Sequence, residues 1–167
     1  FWVELTLCAP PQLADGRAES ATFYRPSSTT GAALRTLLYI EDNPANLQLV
    51  EELITRRPDL RLLSAADGNL GIELAREFMP EVILMDINLP GINGIEVMKI
   101  LRADPATAQI PIMAISANVI PSDIKKGLDA GFFRYLTKPI VVNEFMDALG
   151  IALEFSSARA GNGLKKD

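Results

Sequence analysis

The chain has 167 residues, 49% of them hydrophobic and 22% charged, which suits a globular chain of about one domain with length to spare. Its net charge of −5 argues against direct nucleic-acid binding, because phosphate backbones are held by a basic face. A single cysteine, Cys8, excludes an internal disulfide framework. The absence of histidine excludes Ser-His and Cys-His catalysis, histidine metal sites and a phosphohistidine on this chain. No apolar run approaches the roughly 20 residues of a membrane span. The expected setting is the cytoplasm, with no membrane contact by this fragment. The start at Phe1, with no signal peptide, suggests a piece of a larger protein.

Taken in order, residues 1–7 (FWVELTL) alternate as a short strand with Phe1, Val3, Leu5 and Leu7 on one face. Residues 8–33 read as linker, with Pro10–Pro11, Asp15–Gly16, Arg25–Pro26 and a polar run over Ser27–Gly31; Phe23 and Tyr24 are the apolar exceptions. A regular alternation then begins. Strand-length apolar runs fall at Thr36–Ile40, Leu60–Ala65, Val82–Met85, Ile110–Ile115 and Phe132–Leu136. Helical patterns fall at Ala45–Arg57, Asn69–Phe78, Gly94–Arg102, Pro121–Ala130 and Val141–Phe155. Five strand–helix units with continuously apolar strands predict an α/β domain over 34–155, built on a parallel sheet covered on both faces. Residues 156–167 read as a tail.

Sites in doubly wound sheets form where strands end. The first strand is followed by Glu41-Asp42-Asn43-Pro44, the third by Asp86-Ile87-Asn88, the fourth by Ser116-Ala117-Asn118 and the fifth by Thr137-Lys138-Pro139. Three carboxylates crowded on one rim repel one another unless a cation is present, and oxygen-only ligands point to Mg²⁺ (or Mn²⁺). A carboxylate held there can act as a nucleophile toward phosphorus. Ser116 and Lys138 can then stabilise phosphoryl oxygens, which suffices for a reaction that depends on positioning and charge. Each residue also has a plainer reading: Glu41-Asp42 as favourable charge at a helix start, Asn43 as its cap ahead of Pro44, Lys138 as a solvated lysine. Asp67 and Asp104 read as a helix cap and a turn acid.

The stretches LLYIEDNPANLQLVEELI, VILMDINLPGINGIEVMKILR, IPIMAISAN and YLTKPI resemble the response-regulator receiver family in motif, order and spacing. The resemblance implies a flavodoxin-like (βα)5 fold with strand order 2-1-3-4-5. It implies Asp86 as phosphoacceptor, Glu41, Asp42, Asp86 and the Asn88 backbone carbonyl as metal ligands, Ser116 and Tyr135 as switch residues, and Lys138 as the family's lysine. Pro139 would follow a cis peptide bond, and Asn88 and Asn118 would sit where phosphoryl lifetime is tuned. The implied partner is a histidine kinase or a histidine phosphotransfer domain, meeting the chain beside the first helix. In that helix Leu49, Val50, Leu53 and Ile54 read as the core stripe, and Leu47, off it, as a partner contact. Residues 1–7 resemble the closing strand of a sensor kinase ATP-binding domain. With the linker and receiver they suggest the carboxyl-terminal part of a hybrid sensor histidine kinase, whose parent could be membrane-anchored. The chain itself would be a phosphoacceptor with possible self-dephosphorylation.

Two other classes fit less well. A haloacid-dehalogenase-type phosphohydrolase needs a second aspartate two residues after the nucleophile, where this chain has Asn88. An FMN carrier of the flavodoxin kind needs a phosphate loop after the first strand, where Glu41-Asp42 would repel phosphate.

Overall fold

A computed structural model describes residues 21–24, 34–117 and 120–162. Residues 1–7, Cys8 and Asn118 therefore lie outside the described residues. In chain order the elements are β1 (Ala21–Tyr24), β2 (Arg35–Ile40), α1 (Pro44–Ile54), β3 (Leu60–Ala65), α2 (Gly68–Phe78) and β4 (Val82–Asp86). There follow α3 (Gly94–Ala103), β5 (Ile112–Ser116), α4 (Pro121–Ala130), β6 (Arg134–Thr137) and α5 (Val142–Asn162). The sheet order is β1-β3-β2-β4-β5-β6. Within it β3-β2-β4-β5-β6 are all parallel, giving the expected 2-1-3-4-5 order of five strands. The addition is β1, which lies inside the segment read as linker and pairs antiparallel with the outer edge of β3, Ala21 opposite Ala65 and Tyr24 opposite Leu62.

The unbroken apolar character of β2 and β4 follows from burial on both faces. Alternate side chains sort into two cores. Leu38, Ile40, Ile83 and Met85 point toward α2 and α3, against Ile72, Leu74, Val97, Met98 and Leu101. Leu37, Tyr39, Val82 and Leu84 point the other way, against Val50, Leu53 and Ile54 of α1 and Phe145, Leu149 and Leu153 of α5. Fully burying one such side chain stabilises by about 1.5–3 kcal/mol, so the two layers hold the strand ends that carry the site.

The helix boundaries have local causes. Asn43 Oδ1 accepts the Ala45 N–H at 2.9 Å, and Pro44 has no N–H to satisfy at the first helical position. Asp67 caps α2 by accepting the amides of Asn69 and Leu70. Gly131 ends α4 at φ 116°, a left-handed conformation open to glycine without steric cost. α5 continues to Asn162, past the Phe155 end that its pattern suggests. Arg35 ties the helix down where the expected end falls: its guanidinium donates to the Leu153 carbonyl and, at 2.9 Å, to the Ser157 hydroxyl. In α1 the stripe differs from the expected one. Val50, Leu53 and Ile54 are buried and Leu47 packs against their core, whereas Leu49 is 37% exposed. Leu47 stands three residues before Val50 on the same helical face, and Leu49 is turned off it.

Candidate functional site

The parallel strands deliver their carboxyl ends to one rim. Asp86 ends β4, Ser116 ends β5, and Glu41 and Lys138 come directly after β2 and β6. Register keeps them adjacent, with Asp86 opposite Ile115 and Ser116 opposite Thr137. The Ser116 carbonyl also accepts the Lys138 N–H at 2.8 Å. The Lys138–Pro139 bond is cis. Close approach from below needs Gly94, where a Cβ would stand 2.5 Å from the Asp86 carbonyl oxygen.

Glu41, Asp42 and Asp86 can place one carboxylate oxygen each within 4.8 Å of one another. Glu41 and Asp86 are buried and Asp42 is exposed. Lys138 Nζ spans two of them, 2.9 Å from Glu41 Oε2 and 2.5 Å from Asp86 Oδ2. The other Asp86 oxygen accepts the Asn88 N–H at 2.8 Å, which fixes the carboxylate plane. One ammonium against three carboxylates leaves two negative charges on a cluster of oxygen donors, two of its acids buried and one exposed. That donor set and charge fit a divalent cation of the Mg²⁺ kind.

Glu41 is the most heavily held acid. Burial opposes its ionisation and is the largest single influence, but hydrogen bonds from Asn46, Tyr39 and Lys138, with the lysine charge, outweigh it and keep the carboxyl below its usual range. Burial likewise works against the Lys138 charge, and Asp86 and Glu41 more than reverse it, so its pKa is raised. The Tyr39 hydroxyl, 2.7 Å from Glu41 Oε2, is pushed far up, by burial first and then by the Glu41 and Asp86 charges, and stays a donor. Asn46 Nδ2 donates to Glu41 Oε1 at 3.1 Å, and the Asn43 N–H to the same oxygen at 3.2 Å. Sequence reasoning passed over Tyr39 and Asn46. For Tyr39 the signal was present: residues two apart along an extended chain share a face, and an apolar strand with a hydroxyl two before an acid offers that acid a buried donor.

Ser116 is buried, and a cavity of about 180 Å³ opens beside it, lined by Ile87, Asn88, Ile95, Lys126, Gly127 and Tyr135. The half-buried Tyr135 ring packs on the core and lies against Gly127, where a Cβ would come within 2.9 Å of ring carbon Cδ2. The structure thus brings Glu41, Asp42, Asp86 and Lys138 into one cluster and puts Ser116 and Tyr135 on a neighbouring cavity. Leu47 lies apart on α1.

A doubly wound sheet whose strand ends gather an acid cluster, a lysine and a buried serine defines a receiver domain of two-component signalling. Residues 37–150 match the response regulator receiver domain family, and the chain belongs to it. It is 33% identical over 115 residues to the polar-differentiation response regulator DivK of Brucella anthropi, spanning 69% of this chain and 93% of that one. Among solved structures it is similar to the receiver domain of the sensor histidine kinase PA1611 of Pseudomonas aeruginosa, at 30% identity, with 75% of this chain and 99% of that one covered and a TM-score of 0.64. That structure has a magnesium ion coordinated in its active-site cleft. A response-regulator structure from Chloroflexus aurantiacus is 27% identical, covering 73% of this chain and 99% of that one, with a TM-score of 0.68. Among the described residues no helix is long and apolar enough to cross a membrane.

Proposed function

We propose that Asp86 takes a phosphoryl group from the phosphohistidine of a histidine kinase or histidine phosphotransfer domain. An Asp86 carboxylate oxygen attacks phosphorus, the new O–P bond forms as the donor's N–P bond breaks, and the imidazole leaves with the electron pair. The product is an acyl phosphate on Asp86. The observation that carries this reading is the buried Asp86 carboxylate, one oxygen on the Asn88 amide and the other on Lys138, beside two further acids. Glu41, Asp42, Asp86 and the Asn88 carbonyl would hold Mg²⁺ (or Mn²⁺), whose charge offsets that of the incoming phosphoryl group. Lys138 moves its ammonium from the bare carboxylate to a phosphoryl oxygen, and Ser116 donates its hydroxyl to another. Drawing Ser116 toward the adduct opens the neighbouring cavity to further inward movement of Tyr135, which reshapes the α4–β6 face as a shift between two packings.

The wider setting we infer is a hybrid sensor kinase. The similarity to a receiver taken from a Pseudomonas sensor histidine kinase supports it, as does the kinase-like pattern of residues 1–7. The partner would dock beside α1, where Leu49 is exposed and Leu47 is half-buried against the core. Intact mass after incubation with acetyl phosphate and Mg²⁺ tests the phosphoacceptor. The native chain is expected to gain one phosphoryl group, lost with chelator and absent in Asp86→Asn. An adduct persisting in Asp86→Asn would show that another residue is the acceptor.

A further inference from the structure

At the end of the sheet opposite Asp86, before β5 and β6 begin, a second cavity of about 420 Å³ opens between the α3–β5 loop, the α4–β6 loop and the end of α5. Its volume falls in the range of small-molecule sites, roughly 300–1,000 Å³. Arg102 and Arg159 line it together with Phe132, Phe133 and Phe155, and none of its lining residues is acidic. In a chain of net charge −5 that local balance is the reverse of the average.

Arg102 has a structural duty. It donates to the carbonyls of Ala108, Ile110 and Gly131, tying together the two loops that frame the cavity. A guanidinium has five N–H donors, so two remain, and carbonyls leave its charge uncompensated. Among the described residues no carboxylate pairs with Arg102 or Arg159. Burial, and then repulsion from Arg159, lowers the Arg102 pKa, and the carbonyls it donates to bring no countercharge. Arg159 lies over the Phe155 ring, 5.3 Å from its centre. Such stacking uses the guanidinium face and leaves its N–H edge for an anion. Phe155 is 39% exposed and leans on Phe133 with ring centres 5.1 Å apart, a ready aromatic wall beside the two cations.

We propose that this cavity binds a nucleoside monophosphate, its phosphate between Arg102 and Arg159 and its base on the Phe133–Phe155 wall. A bare anion would leave the aromatic wall unused, and an apolar ligand would leave two cations unpaired. The probe is adenosine monophosphate, titrated into the ¹⁵N-labelled full chain in chelator, so that phosphate held by metal at the acid cluster does not contribute. Saturable shifts are expected at the amides of Ala108, Gln109, Gly131, Phe132 and Phe133. Arg159→Gln, an exposed position, should weaken binding by about fivefold or more through the lost charge-assisted bond. Phe155→Leu should weaken it through lost stacking, with the rest of the spectrum unchanged in both variants. No shifts at those amides, equal affinity in both variants, or equal affinity for inorganic phosphate or for adenosine alone would each overturn the proposal.

Discussion

Replacing Tyr39 with Phe removes one oxygen from a fully buried ring and one donor from Glu41, a group that the family motif does not mark. A hydrogen bond to a charged group contributes about 1.5–3 kcal/mol. Glu41 keeps Lys138, Asn46 and the Asn43 amide, so its carboxylate is not orphaned, and the lower end applies. The expected loss is about 1.5 kcal/mol, or about 5 °C in Tm for a domain of this size. The pH dependence has a definite sign. The folded pKa of Glu41 lies below its ordinary 4.5, so the stability it contributes is fully present above pH 4.5 and is lost as pH falls through the lower folded value. Urea denaturation in chelator should therefore show a native-to-variant gap at neutral pH that narrows in acid. The same gap should nearly vanish in a Glu41→Gln background. A gap unchanged into acid, or equal in both backgrounds, would refute the hydroxyl–carboxylate bond as its cause.

Lys138→Met leaves Glu41 and Asp86 without their ammonium; in chelator it should lower stability by about 3 kcal/mol, the low end for a broken buried pair because the lysine side chain is 20% exposed. Adding Mg²⁺ should recover part of that loss, and a deficit indifferent to Mg²⁺ in thermal melts would count against the metal assignment. Gly94→Ala drives a methyl against the Asp86 carbonyl oxygen and, at 2.9 Å, the Ile87 Cα. Neither backbone atom can swing aside, so a loss of about 2–3 kcal/mol by urea denaturation is expected, with slower phosphorylation from acetyl phosphate.

Legibility differed from residue to residue. The rim could be read because a parallel sheet sends every strand's carboxyl end to one side. The residues just past each apolar run therefore gather Glu41, Asp42, Asp86, Ser116 and Lys138 without coordinates. The α1 stripe could be misread because four leucines and isoleucines with one valine lie within eight residues, and only packing distinguishes the half-buried, core-facing Leu47 from the exposed Leu49. β1 had no pattern of its own in a polar stretch. Its partner is the open edge of β3, whose unpaired backbone groups accept any extended segment that reaches them. The far end of α5, with Ser156 and Ser157, reads as a poor helix former until Arg35, more than a hundred residues earlier, binds its carbonyl and hydroxyl.

The order of apolar runs and breakers along the chain by itself determined the five-unit α/β fold and the identity of the acids, hydroxyl and lysine at its rim, because strand and helix periods and strand-end position are properties of local sequence. Tertiary structure alone decided which distant groups hold those residues. The Lys138 bridge across two strands, the edge strand and the arginine–phenylalanine cavity depend on distances between segments remote in sequence, which only packing sets, whereas the Tyr39 and Asn46 donors stand two and five residues from Glu41.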